Sequence, residues 1–358
     1  MFGEDFVWGV ASSAYQVEGT DAADGRGACV WDMFAADGRV FEHQNADTSC
    51  DHMHHYKEDI ALMRHLGIRA YRFSLNWARI LPEGTGRVNE KAIAMYRDMI
   101  LTMKENGITP YLTLFHWEFP QALYERGGWQ NPDVVQWFGE YAKVVAENFS
   151  DICEYFITIN EPQCVVGLGH LSGVHAPGVK LPVAQTFLVA HHLLMAHGQA
   201  VINLRRYAVR PVRIGFAPTG GVAYPYTDRS EDIEAAKKVY FGFYNPIDNW
   251  TWNVSWFSDP VFLGHYPEEG LKKFAPYLPE ITQEDMELIY QPLDFMGQNI
   301  YNGYYVRAGA DGEPEFVDRA PGFPKTGSDW PVTPEAFYYG IKFLTERYPL
   351  PLYITENG

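Results

Sequence analysis

The chain has 358 residues, of which 47% are hydrophobic and 15% aromatic, and a formal net charge of −17. That length carries one large barrel or two ordinary domains, and the apolar fraction supplies a sizeable core. The acidity, with no run of Lys and Arg, argues against nucleic acid and anionic membranes as partners and points to a neutral substrate.

In chain order, apolar strand patterns fall at Phe6–Val10, Ala70–Leu75, Thr109–Phe115, Tyr155–Asn160, Arg213–Ala217, Phe295–Gln298 and Leu352–Thr355. Helical patterns lie between them at Tyr56–Leu66, Glu90–Asn106, Asp133–Asn148, Val183–Arg206, Glu231–Phe243 with Gln283–Ile289, and Thr333–Arg347. Asn131-Pro132 and Thr333-Pro334 each put a capping residue before a proline at the first helical position, and Gly67 and Gly107 follow helices as stops. This alternation predicts a parallel sheet with helices outside, and the count predicts a (β/α)8 barrel, the TIM barrel, one strand short. No linker or repeat interrupts it, so residues 1–358 are read as a single domain. The stretches 219–294 and 302–331, rich in Gly, Pro and aromatics, are read as loops forming a pocket rim.

Cys29, Cys50, Cys153 and Cys164 form no C-x-x-C pair and suit a reducing compartment. Met1–Ala11 lacks a basic region followed by an apolar run, and no segment is long and apolar enough to span a bilayer, so the cytoplasm is the expected location. His52, His54 and His55 cluster, as do His191, His192 and His197, but neither group has a zincin spacing. They are read as surface or packing residues, with no metal or other cofactor.

Polar residues recur where the predicted strands end: Gln16 after the first, Arg72 within the second, His116 and Trp117 after the third, Asn160 and Glu161 at the fourth, Asn299 and Tyr301 after the sixth, Glu356 at the seventh. In a barrel these positions converge on the C-terminal mouth, where barrel active sites form. Glu161 and Glu356 each follow a strongly apolar strand. Two carboxyls reaching inward from different sides of the mouth can flank one scissile bond, as glycoside hydrolysis requires.

The ordered series resembles the family 1 glycoside hydrolases, the β-glucosidase family. It runs through Phe6-Val7-Trp8-Gly9, Ser12-Ser13-Ala14-Tyr15-Gln16-Val17-Glu18-Gly19, Tyr71-Arg72-Phe73-Ser74 and Leu114-Phe115-His116-Trp117. Thr158-Ile159-Asn160-Glu161-Pro162, His175-Ala176-Pro177-Gly178, Asn299-Ile300-Tyr301 and Ile354-Thr355-Glu356-Asn357-Gly358 complete it. The resemblance implies a retaining β-glucosidase acting on terminal β-glucosyl residues of small β-glucosides or short oligosaccharides. Glu161 would be the acid/base and Glu356 the nucleophile, supported by Arg72, Tyr301 and Asn299. Gln16, His116, Trp117 and Asn160 would bind the sugar, and Trp330 would stack on the leaving group. Gln163, where many relatives have Trp, is expected to alter aglycone preference.

The chain stops at Gly358, directly after the nucleophile turn, so the eighth strand and its helix are expected to be missing. The first and seventh strands should then be open edges, exposing core near Phe6–Val10 and Leu352–Thr355. The alternatives are a sugar-binding pseudoenzyme or an inactive fragment. A 6-phospho-β-glucosidase is disfavoured by the wording around Ser13-Ala14-Tyr15-Gln16 and Ser49-Cys50-Asp51-His52.

Overall fold

A computed structural model describes Gly3, residues 6–20 and residues 24–358; of the Met1–Ala11 segment, residues 1, 2, 4 and 5 lie outside the described residues. Among the described residues there are ten strands: β1 (Gly9–Ala11), β2 (Ala70–Ser74), β3 (Thr109–Phe115), β4 (Tyr155–Asn160), β5 (Arg213–Ala217), β6 (Val222–Pro225), β7 (Phe295–Asn299), β8 (Gly303–Ala308), β9 (Pro314–Val317) and β10 (Leu352–Glu356). Seven form one parallel sheet in the order β1-β2-β3-β4-β5-β7-β10. This is the expected barrel sheet, nearly closed, with β1 and β10 at its edges.

The central strands β2 to β5 and β7 are buried almost throughout, which is why they read as continuous apolar runs. Inside the barrel, an aromatic layer fills the end remote from the mouth. Tyr111 stacks on Tyr155 with ring centroids 4.4 Å apart, and Phe295 on Tyr353 at 4.6 Å. Gly215 makes room for this layer, because a Cβ there would lie 2.3 Å from the Phe295 ring.

Four expectations need correction. The first strand is Gly9–Ala11, not Phe6–Val10, because pairing with β2 begins at Gly9 opposite Ala70. Leu352–Thr355 is half-buried rather than open, since Leu352 and Ile354 pack on the main core and Tyr353 on Phe295, whereas Phe6, Val7, Trp8 and Val10 are exposed as expected. Asn131 caps no helix: its Oδ1 accepts from Asp133 N at 2.9 Å and the helix starts at Val134. Thr333 does stand before the last helix, Pro334–Arg347, but its hydroxyl accepts from Gly303 N at 3.0 Å instead of capping.

The presumed rim loops hold real structure. β6, β8 and β9 form a second sheet of three strands, and the helices Val254–Phe262 and Glu268–Phe274 lie in the same stretches. The helix Val183–Tyr207 buries His191, His192 and His197, which is a correction to any surface reading of that cluster. Their ring nitrogens diverge, His191 to the Tyr266 hydroxyl, His192 to Trp129 O and His197 to the Thr158 hydroxyl.

Candidate active site

Parallel strands all deliver their C-terminal ends to one mouth, and five of them, β2, β3, β4, β7 and β10, supply its polar residues. Arg72 on β2 is 6% exposed and organises the floor. Its Nε donates to the Thr113 hydroxyl at 3.0 Å, Nη2 to Asn160 Oδ1 at 2.6 Å, and Nη1 to Glu356 Oε1 at 2.6 Å and Thr355 O at 3.2 Å. The second oxygen of Glu356 accepts from the Tyr301 hydroxyl. Burial opposes the charge of Glu356, but Arg72 and the Tyr301 donor outweigh it and hold the carboxyl below its usual range. The same carboxylate, with burial the larger cause, keeps the Tyr301 phenol protonated.

Glu161 directly follows β4 with a left-handed φ of 44°, an unfavourable conformation for a residue with a Cβ, at the turn that carries its carboxyl into the mouth. It is 6% exposed. Oε1 accepts from Asn299 Nδ2 at 2.8 Å and Oε2 from Cys164 Sγ at 3.1 Å. Burial, followed by the charge of Glu356, raises its pKa above the ordinary glutamate value. Two glutamates in one mouth are thus driven apart, one toward the acid and one toward the carboxylate.

Asn160 bridges them. Its Oδ1 takes hydrogen bonds from Arg72 and, at 3.1 Å, from Asn299 Nδ2, so its amide nitrogen faces His116 Nε2 at 3.2 Å. Burial lowers the pKa of His116 to about 3, leaving a neutral ring that accepts from Asn160. The other nitrogen, Nδ1, is buried without a hydrogen-bond partner. Trp117, with φ 86°, donates its indole N–H to Asn160 O at 3.1 Å. Trp330 is 45% exposed and meets the Tyr301 ring edge-on with centroids 5.3 Å apart.

These residues converge, with three departures. Asn299 bonds Glu161, not the Glu356 it was expected to support; its Oδ1 is taken by the Thr355 hydroxyl at 2.6 Å, which turns its amide nitrogen toward β4. The Gln16 side chain is exposed and joins none of these hydrogen bonds among the described residues. Gln163 is fully buried, with Oε1 accepting from Thr219 N at 3.2 Å, so it faces the turn after β5 instead of the mouth.

The profile of glycosyl hydrolase family 1 matches residues 1–358. The chain belongs to glycosyl hydrolase family 1. Within that family it is similar to beta-glucosidase A of Thermotoga maritima, with 42% identity over all of this chain and 78% of that protein. It is also similar to the beta-glucosidase of an Agrobacterium species, with 38% identity over all of this chain and 76% of the relative. The solved Thermotoga maritima enzyme in complex with glucoimidazole superposes with a TM-score of 0.88 at 42% identity, over all of this chain and 79% of that one. A family 1 hydrolase needs a wall that holds the catalytic groups as well as the groups themselves. Sequence reasoning missed that part: Thr113 under Arg72, Thr355 on Asn299 and Cys164 on Glu161. A threonine at an inward position of β3 beside an arginine on β2 was the available signal for the first. The others had none.

Among the described residues no three His, Cys, Asp or Glu are grouped to hold a metal, and no helix is long and apolar enough to cross a membrane.

Proposed function

We propose that this chain carries the active site of a retaining β-glucosidase. It removes terminal β-glucosyl residues by double displacement, with Glu356 as nucleophile and Glu161 as acid/base. The observation that carries the reading is the opposite tuning of two glutamates, one buried and one half-buried, joined through Arg72, Asn160 and Asn299. In the first step a Glu356 oxygen attacks the anomeric carbon, the glycosidic bond breaks, and Glu161 gives its proton to the departing oxygen. The charge on Glu356 then vanishes into an ester, removing one cause of the raised Glu161 pKa. In the second step Glu161 takes a proton from water, the water oxygen attacks the same carbon, and the ester bond breaks with net retention.

The neutral His116 and the amide of Asn160 supply hydrogen bonds suited to sugar hydroxyls, and the Trp330 face suits the leaving group. Arg72 is already committed to Glu356, Asn160 and Thr113, which supports a neutral sugar over a phosphorylated one. β-Galactosides and β-fucosides are the expected secondary substrates. Residues 1–358 act as one catalytic domain, in keeping with a single main core running from Val30 to Tyr348. Four free cysteines, three of them buried, support a reducing compartment such as the cytoplasm.

Proton NMR of the first product released from an aryl β-glucoside tests the reading. The β-anomer of glucose is expected first, and initial α-anomer overturns it.

A further inference from the structure

Cys164 stands three residues after Glu161, on the first turn of the short helix Pro162–Val166, and is buried. Its Sγ lies 3.1 Å from Glu161 Oε2. The other oxygen, Oε1, faces Asn299 Nδ2, an amide nitrogen that donates and does not accept. The Asn299 oxygen is fixed by the Thr355 hydroxyl, so the amide is held in that orientation. Oε1 is therefore an acceptor in both protonation states, and the carboxylic proton resides on Oε2, beside the thiol.

We propose that Cys164 is a positioning residue for the acid/base: its thiol attends the proton-bearing oxygen of Glu161 and donates to it once the proton has left. A thiol is a weak donor and a weak acceptor. It competes little for the proton that Oε2 must deliver, and it supports the carboxylate that must next accept one from water. Desolvation by burial, with the charge of Glu161, pushes the thiol far above its ordinary range, so it stays S–H and adds no charge. The other groups facing Glu161 come from separate elements: Glu356 from β10, Arg72 from β2, Tyr301 after β7, and neutral His116 after β3 through Asn160.

This proposal rests on the acid/base reading of Glu161, and the test separates the two. The Glu161 carboxyl is titrated by 13C NMR in the whole chain and in Cys164→Ala and Cys164→Ser, with Glu161→Gln to assign the signal. Losing the donor should raise the Glu161 pKa by roughly half a unit to one unit in Cys164→Ala. Cys164→Ser keeps a donor and should stay near the parent. Should the alanine variant fail to fold, Cys164→Val removes the donor at closer volume. The alkaline limb of kcat/KM should move with the NMR value. An unmoved Glu161 titration in the donor-free variants overturns the proposal. A moved titration with an unmoved alkaline limb instead refutes Glu161 as the acid.

Discussion

Glu161 directly follows β4 and Glu356 ends β10, two strands separated in the sheet by β5 and β7; Glu161 is buried and Glu356 half-buried. Around Glu356 the neighbours are a guanidinium and a phenol; around Glu161 they are a neutral amide and a thiol. Burial alone pushes both toward the neutral acid. Only the neighbourhood with a full positive charge reverses that push. The same side chain on the same scaffold thereby acquires two jobs, and the difference lies in what the adjacent strands contribute.

The largest effect that could break this comparison is on Glu161. Glu161→Ala should lower turnover of glucosides with poor leaving groups by about 10²–10⁴-fold, while activated aryl glucosides lose far less in the first step. Azide should restore turnover of the activated substrates and give a β-glucosyl azide. Equal losses on all leaving groups, with no azide rescue, count against the assignment.

A smaller change tests the other side. Tyr301→Phe removes a hydrogen bond to a charged carboxylate, which corresponds to roughly a tenfold to hundredfold loss in kcat/KM. Glu356 works ionised, and its pKa is held low, so activity is lost as pH falls through that pKa. Without the phenol the pKa rises, and the acid limb of the pH profile should shift upward. An acid limb that stays in place would show that Arg72 alone sets the charge.

Another buried glutamate sharpens the comparison without touching activity directly. Glu118 follows Trp117, receives Tyr15 N on Oε1 at 2.9 Å, and leaves Oε2 buried without a partner. Burial raises its pKa from the ordinary glutamate value of 4.5 to about 8. A raised folded pKa gives stability that is fully present below about 4.5 and is lost as pH rises through about 8. Between those limits the unfolded chain ionises first, so the contribution falls by a few kcal/mol. Glu118→Gln should flatten that decline in urea midpoints measured from pH 5 to 9, and parallel curves for the two proteins would contradict it.

Much of the fold was legible because buried parallel strands are apolar runs with little ambiguity. β3, β4 and β5 match their expected bounds, whereas β1 is exposed and carries no burial signal to fix its start. The small sheet escaped notice since β6 and β9 are short and flanked by Gly and Pro. At the site, strand-end position revealed both glutamates. It did not reveal direction. Trp117 and Glu161 adopt left-handed conformations that no residue type announces, and an asparagine such as Asn299 can turn to either side of its strand. Partners like Thr113 and Cys164 become visible only when neighbouring strands and turns are set in register.

The central claim is that Glu356, not Glu161, forms the covalent bond to the sugar. Treating the protein with an activated 2-deoxy-2-fluoro-β-glucoside slows both steps but should leave the glycosyl-enzyme to accumulate, and peptide mass mapping then locates the added sugar. The account predicts the label on Glu356, within the peptide that carries Ile354-Thr355-Glu356-Asn357-Gly358. A label on Glu161, or stoichiometric inactivation with the sugar on any other residue, would contradict it.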